Sequence, residues 1–255
     1  SDTWRKEAPG EYFTYCNANF GLAGTIIEKI CGQRFEEFIQ QSLFVPLGIS
    51  GSYISEGITD INNLAVIYGT ENGMWVPGTD NYKGVMSAPR DFSGYRTGTN
   101  AIVFSPQGGL RISAKELARI MILHMNNGKY NGERIVSRKS VRLMHRAHFI
   151  STNANSDDEG VRRGNRGLSV QILPSAAAGG ILPKRSHFLG HSGSAYGLQS
   201  AFYFDPKEKY GFIFIVNGIF DGPKAGPSGA FYTFEEALIN ALRENNLLPC
   251  KKIRR

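Results

Sequence analysis

Two short clusters in this 255-residue chain carry residue types that can do chemistry. One is Tyr15-Cys16-Asn17, which follows Pro9-Gly10-Glu11-Tyr12-Phe13 and stands just ahead of a helical pattern. The other is His191-Ser192-Gly193, at a strand that begins an antiparallel meander. A tyrosine hydroxyl can move protons, but its free pKa is about 10, so nearby cations are needed to make it useful as a base. Asn17, two residues on, can orient an amide. His191 can donate a hydrogen bond or carry a positive charge. Ser192 offers a hydroxyl, and Gly193 has no side chain to hold a bound backbone away from the strand. Each cluster also has an ordinary reading. Tyr-x-Asn recurs by chance, Tyr15 suits a half-buried aromatic with a satisfied hydroxyl, and His191 suits a strand histidine facing a polar edge.

The elements that must position these residues follow from periodicity. A helix is predicted over about 19–31, with Leu22, Ile26 and Ile30 on one apolar face and Gly32 as the stop. A second runs over about 35–43, with Glu36 and Glu37 where the helix dipole favours acids. Residues 50–107 read as a long irregular excursion with strand-like pieces such as 64–68, of the kind that forms walls or lids. Ser113-Ala114-Lys115-Glu116 opens a helix with Leu117, Ile120, Met121 and His124 on one face, ending at Asn127-Gly128. A short helix follows Ser137. Residues 151–166 are polar. The period then becomes two: Leu168, Val170 and Ile172, then Phe188 to Ser194, Leu198 to Phe204 and Tyr210 to Asn217. Thr233-Phe234-Glu235-Glu236 opens a final helix with Leu238 and Leu242 inward. Helices first, then an antiparallel sheet, then a covering helix predict an α+β fold.

Taken together and in this order, the clusters resemble the serine β-lactamase and penicillin-binding-protein superfamily. The nearer likeness is its class C β-lactamase-like branch, with D-aminopeptidase, carboxypeptidase and esterase relatives. Further segments carry the resemblance: Asn19-Phe20-Gly21-Leu22-Ala23-Gly24, Phe44-Val45-Pro46-Leu47-Gly48-Ile49, Ser105-Pro106-Gln107-Gly108-Gly109-Leu110 with Ser113-x-x-Glu116-Leu117-Ala118, and Gly190-His191-Ser192-Gly193. The resemblance implies acyl transfer by a serine nucleophile through an acyl-enzyme. Tyr15 and His191 are then the catalytic residues, with His191 where lactamases usually carry lysine. Asn17, Ser192, Gly193 and Ser194 are the substrate-binding residues, the Ser194 N–H as one oxyanion donor. No cofactor is implied. The partner is a small-molecule or peptide substrate, and a bacterial source would place the protein in the periplasm or outside the cell.

One departure is large. The superfamily nucleophile lies in Ser-x-x-Lys, upstream of Tyr-x-Asn, and no serine of this sequence has lysine three residues later. Thr3-Trp4-Arg5-Lys6 has threonine and sits too close to Tyr15. Gly-x-Ser-x-Gly is absent as well. The expectation is a partial β-lactamase-like domain over 1–255, lacking the nucleophile helix and the N-terminal strands. Its 1–165 portion is mainly helical and irregular; its 166–255 portion holds the sheet strands and the C-terminal helix. An N-terminal companion segment would complete the core and cover the open edge of the last strand. The alternative is a non-catalytic β-lactamase-like protein used for binding or assembly.

Composition excludes other classes. Apolar residues make up 41% and aromatics 11%, enough for a real core. No stretch approaches the roughly 20 apolar residues of a membrane helix. The net charge of +7 falls to +3 without Lys251, Lys252, Arg254 and Arg255, and no nucleic-acid motif accompanies that tail, so it reads as solvated. Cys16, Cys31 and Cys250 have no metal spacing and read as free, mostly buried thiols. His145-x-x-His148 has no obvious third ligand, so no metal is expected. Arg162, Arg163 and Arg166 either line a substrate mouth or belong to a solvated loop, and the loop is the preferred reading.

Overall fold

The computed structural model describes residues 5–86, 88–152, 154–157, 164–174, 181–182, 187–220 and 222–248. Cys250, the basic tail, Arg162 and Arg163 lie outside these described residues. Helix α1 spans Ala18–Cys31, and Gly32 ends it in the left-handed conformation at φ 71°. The face predicted as apolar is not the buried one: Leu22, Ile26 and Ile30 are 62%, 50% and 82% exposed. Gly21, Gly24 and Glu28 are buried instead. The reason is close packing. A Cβ on Gly21 would press on Ile102, and one on Gly24 on Ala101 and Pro106, so the bare face lets the turn over 101–104 approach the helix.

Helix α2 (Phe35–Ile39) passes through one wide turn over 40–44 into α3 (Val45–Leu47), and Gly48 stops it at φ 65°. Glu36 is buried there and paired with Arg34 at 2.7 Å. The excursion over 50–107 holds a hairpin, β1 (Tyr68–Glu71) and β2 (Met74–Pro77), turned at Asn72-Gly73 with both φ positive. The strand-like piece at 64–68 therefore contributes only its last residue. Helix α4 (Ala114–Met125) is capped by the Ser113 hydroxyl, which accepts from the Glu116 N–H at 3.2 Å. The Glu116 carboxylate in turn accepts from the Ser50 N–H and the Ser113 hydroxyl. A two-residue hairpin, β3 (Lys129–Tyr130) with β4 (Glu133–Arg134), leads to α5 (Arg138–His145).

The main sheet is antiparallel throughout, in the order β5 (Asn165–Arg166), β6 (Gln171–Pro174), β7 (His187–Ala195), β8 (Leu198–Asp205), β9 (Tyr210–Val216). The period-two run at Leu168 begins too early. Gly167 to Val170 form a turn, with Ser169 at φ 59°, and the strand starts at Gln171. Asp205 closes the β8–β9 turn by accepting N–H bonds from Lys207 and Glu208, and it also accepts from the His187 N–H on β7.

Helix α6 (Thr233–Glu244) covers one face of the sheet, and the Glu235 carboxylate accepts its Tyr232 N–H at 2.8 Å. Its inward residue is Ile239, fully buried, rather than Leu238, which is 39% exposed. The buried face includes Leu242 and is set one residue later than the pattern suggested. Helix α4 packs on the opposite face, across β8 and β9. The architecture is α+β in three layers: helical region, sheet, α6. No described helix is long and apolar enough to cross a membrane.

Candidate active site

The segment before α1 is pinned at Phe13. Its N–H donates to the Asn155 carbonyl at 2.9 Å, and its own carbonyl accepts from the Asp157 N–H at 3.0 Å. The Phe13 ring lies 5.7 Å from Phe149, and the Arg166 guanidinium stacks over it at 4.9 Å. An extended chain returns to the same side every second residue, so anchoring Phe13 also aims Tyr15. The Tyr15 ring comes to rest with its centroid 6.0 Å from the His191 ring, tilted by 38°.

His191 is placed by register. It opposes Phe202 of β8, and by the strand pleat it shares the helical-region face with Leu189 and Gly193. Its Nδ1 lies 2.6 Å from the Ser192 carbonyl. A carbonyl only accepts, so Nδ1 carries the hydrogen, and a neutral ring then presents Nε2 as a base or acceptor. Gly193 opposes Ser200, and a Cβ there would sit 2.5 Å from the Ser200 hydroxyl. Ser192 and Ser194 alternate to the α6 side. The Ser194 hydroxyl accepts from the Gln199 side-chain amide at 2.6 Å. These two serines meet the His191 side of the strand only through their backbone.

That backbone is available on one edge. The β6 ladder ends where Gln171 opposes Gly190, so His191–Ala195 are laddered on the β8 side only among the described residues. Unladdered N–H and C=O groups on such an edge can receive an extended segment or a polarised carbonyl. Asn17 sits at the start of α1 with helical dihedrals, and its side-chain amide makes no cap bond, which leaves it exposed for other work.

Electrostatics set the protonation of Tyr15. Burial raises its pKa, and the charge of Arg166 pulls only part of the way back. Tyr15 is therefore a protonated phenol at neutral pH. Arg166 is the residue that sequence reasoning placed wrongly. It is buried on β5, not a solvated loop residue, and it is a cation acting on the phenol. The signal was faint: a lone arginine at the end of a polar, arginine-rich run. The thiol beside Tyr15 was also misjudged, since Cys16 is free but exposed. His145 does not face His148; it meets His124, and His148 donates to the Leu143 carbonyl. Among the described residues no group of three metal-ligating side chains converges. A cavity of about 360 Å³, lined by Tyr68, Trp75, Asn217 and Gly218, opens beyond the β7–β8 turn and includes neither Tyr15 nor His191.

With this geometry in place, the likeness to known proteins is specific. A family profile described as Beta-lactamase matches residues 1–230. The chain belongs to the beta-lactamase family. Among solved structures, a penicillin-binding protein homologue from Pyrococcus abyssi, described as octameric, superposes with a TM-score of 0.65 at 22% identity. It covers 98% of this chain and 46% of its own. A D-amino acid amidase from Ochrobactrum anthropi SV3, complexed with D-phenylalanine, gives 0.61 at 17% identity, covering 94% and 61%. A class C beta-lactamase gives 0.62 at 16% identity, covering 98% and 62%. The chain thus spans roughly half to three-fifths of the length of these structures. A search of curated proteins finds none that matches. The mixed helix and antiparallel-sheet fold is the one these structures share.

Proposed function

We propose that this chain supplies the tyrosine and histidine sides of a serine hydrolase site that cleaves an amide or ester bond through an acyl-enzyme. The observation that carries the reading is the approach of Tyr15 to His191, 6.0 Å between rings, beside the unladdered edge of β7. A serine hydroxyl attacks the substrate carbonyl, and its proton leaves by way of the Tyr15 phenol to the departing amine or alcohol. His191 holds the phenol in a hydrogen-bonded setting or binds the substrate carboxylate. Asn17 orients the substrate amide. The backbone of Ser192, Gly193 and Ser194 lies along the substrate, and the Ser194 N–H stabilises the developing oxyanion.

The nucleophile comes, in this reading, from a companion segment that carries Ser-x-x-Lys. The lysine also answers the electrostatic problem at Tyr15: a cation close to the phenol is what a pKa raised by burial requires. Imidazole in place of lysine on β7 favours a peptidase or esterase acting on a small-molecule or peptide substrate over an antibiotic-degrading enzyme. The exposed apolar stripe of α1 supports a companion that packs there.

Covalent labelling tests the proposal. The full-length protein is incubated with a fluorescent penicillin or a fluorophosphonate and mapped by peptide sequencing. Labelling of one serine outside this sequence is the expected result. No labelling by either reagent in a verified full-length protein would leave the binding or assembly role.

A further inference from the structure

We propose that His124 and His145 form an acid-labile clasp that fastens α4 and α5 to the sheet behind the candidate active site. The pair stands apart from Tyr15 and His191, and the inference does not depend on the reaction proposed above. His124 lies in the last turn of α4 and His145 in the last turn of α5. His124 Nδ1 and His145 Nε2 are 3.0 Å apart, and the rings stack at 5.3 Å with 23° between their planes. Both rings rest on Phe204 of β8, each 5.6 Å from its centroid.

The chemistry of such a bond is restrictive. One facing nitrogen must carry a hydrogen and the other a lone pair. Two protonated rings would set two N–H donors against each other, and the bond cannot survive. A counter-ion would relieve this, and the surrounding elements supply none among the described residues. On α4, Glu116 is engaged by Ser50 and Ser113, and Arg119 donates to the carbonyls of Leu47 and Gly48. Helix α5 offers only cations near the pair, Arg138, Lys139 and Arg142, with Arg146 just beyond. On β8, Asp205 is occupied by three backbone N–H groups. Tyr210 on β9 packs against Phe188. The helix C-termini favour a cation, yet burial wins. Burial pushes both imidazoles down to about 4, and at His145 the charge of His124 adds to the effect.

The sign of the pH dependence follows. The folded form holds the rings neutral, whereas unfolded imidazoles take up protons near pH 6.5. The clasp is fully stabilising above pH 6.5 and is lost as pH falls from there toward about 4. Its position gives it reach. Phe204 opposes Leu189 on β7, and the next pair facing the same way is Phe202 with His191. Acid that opens the clasp removes the support under the strand pair that carries His191.

Thermal unfolding between pH 8 and pH 4.5 reads the clasp directly. The wild type should lose about 5 °C of melting temperature between pH 7 and pH 5. His145→Phe and His124→Phe, which keep a ring on Phe204, should flatten that decline by at least half. Variants that decline as steeply as the wild type would overturn the clasp. Should either variant fail to fold, nitrogen-15 imidazole spectra of the wild type decide. Two of the five histidines should stay neutral to pH 5. Titration of His124 or His145 near pH 6.5 would equally sink it.

Discussion

The two faces of the main sheet are built differently. The α6 face is one continuous apolar cluster, in which Phe188, Tyr203, Phe231, Ile239 and Leu248 are all essentially inaccessible. Among its polar groups, the Tyr203 hydroxyl donates to the Gln171 side chain, and the buried Gln199 amide donates to the Ser194 hydroxyl. The helical-region face is broken into smaller clusters around Phe44, Phe104 and Phe204. Between them lie buried polar groups: Glu28, Arg166 and the histidine pair. The first face contributes stability by area, at about 25 cal/mol per Å² of apolar surface. The second spends part of that on groups that need partners, and it is the one toward which Tyr15 and His191 turn. A face that holds chemistry cannot be packed like one that only holds the fold.

The sharpest way to break this contrast is Tyr15→Phe in a protein that carries its nucleophile. Only a hydroxyl is lost, so turnover should fall by about 10²–10⁴-fold, while the melting temperature stays put. Turnover at the wild-type level would remove Tyr15 from the reaction and reduce the helical-region face to scaffolding. On the α6 face the effects should invert. Ile239→Ala empties a fully buried site and should cost about 2–5 kcal/mol in chemical denaturation, with activity per folded molecule unchanged. A loss below about 1 kcal/mol would show that this face is less tightly packed than its burial indicates.

A third test addresses the polar hub of the helical region. Glu28 is buried within α1, and its carboxylate accepts from the Phe35 N–H at 2.9 Å, the Gly98 N–H at 2.7 Å and the Tyr95 hydroxyl at 2.6 Å. It ties a helix to the long excursion. Glu28→Gln keeps the shape but puts an amide where three donors converge, and should cost about 1–3 kcal/mol. Tyr95 gives an independent readout. Burial and then the hydrogen bond to Glu28 push its phenol up to about 12. Spectrophotometric titration should find that pKa lowered in the variant, and an unchanged value would mean that burial alone sets it.

Much of the architecture was legible in the sequence. Gly32 and Ser113 do local work that depends on few neighbours, and the helix boundaries they imply agree with the structure to within a residue or two, whereas the helix predicted to end near Leu43 runs on to Leu47. The misreadings share one cause, which is tertiary packing. The β1–β2 hairpin is the exception: its Asn72-Gly73 turn is a local signal that the irregular reading of 50–107 passed over. Leu238 yielded to Ile239 because the sheet, not the helix, decides which residue points inward. In the site, the Tyr15 and His191 rings stand 6.0 Å apart, an approach that the residue types alone did not dictate and that the family resemblance implied. Arg166 was not legible, because nothing local distinguishes a buried arginine stacked on Phe13 from its solvated neighbours in sequence.

The smallest expected effect concerns α1, where periodicity and burial disagree outright. Leu22, Ile26 and Ile30 recur every four residues, a pattern that ordinarily marks the face turned to the core, yet the core side of this helix is Gly21, Gly24 and Glu28. One face of α1 meets the turn over 101–104 through small residues, and the other exposes large apolar ones. In this chain alone, Ile30→Ser removes only exposed surface and should change unfolding free energy by less than about 0.5 kcal/mol. In the full-length protein, with the proposed companion segment packed on the stripe, the same substitution should cost about 1–3 kcal/mol. Equal and negligible costs in both settings would mean that the stripe faces water throughout, and the companion would have to dock elsewhere. A large cost in the isolated chain would instead mean that copies of the chain associate through α1, which dilution followed by sedimentation velocity would reveal.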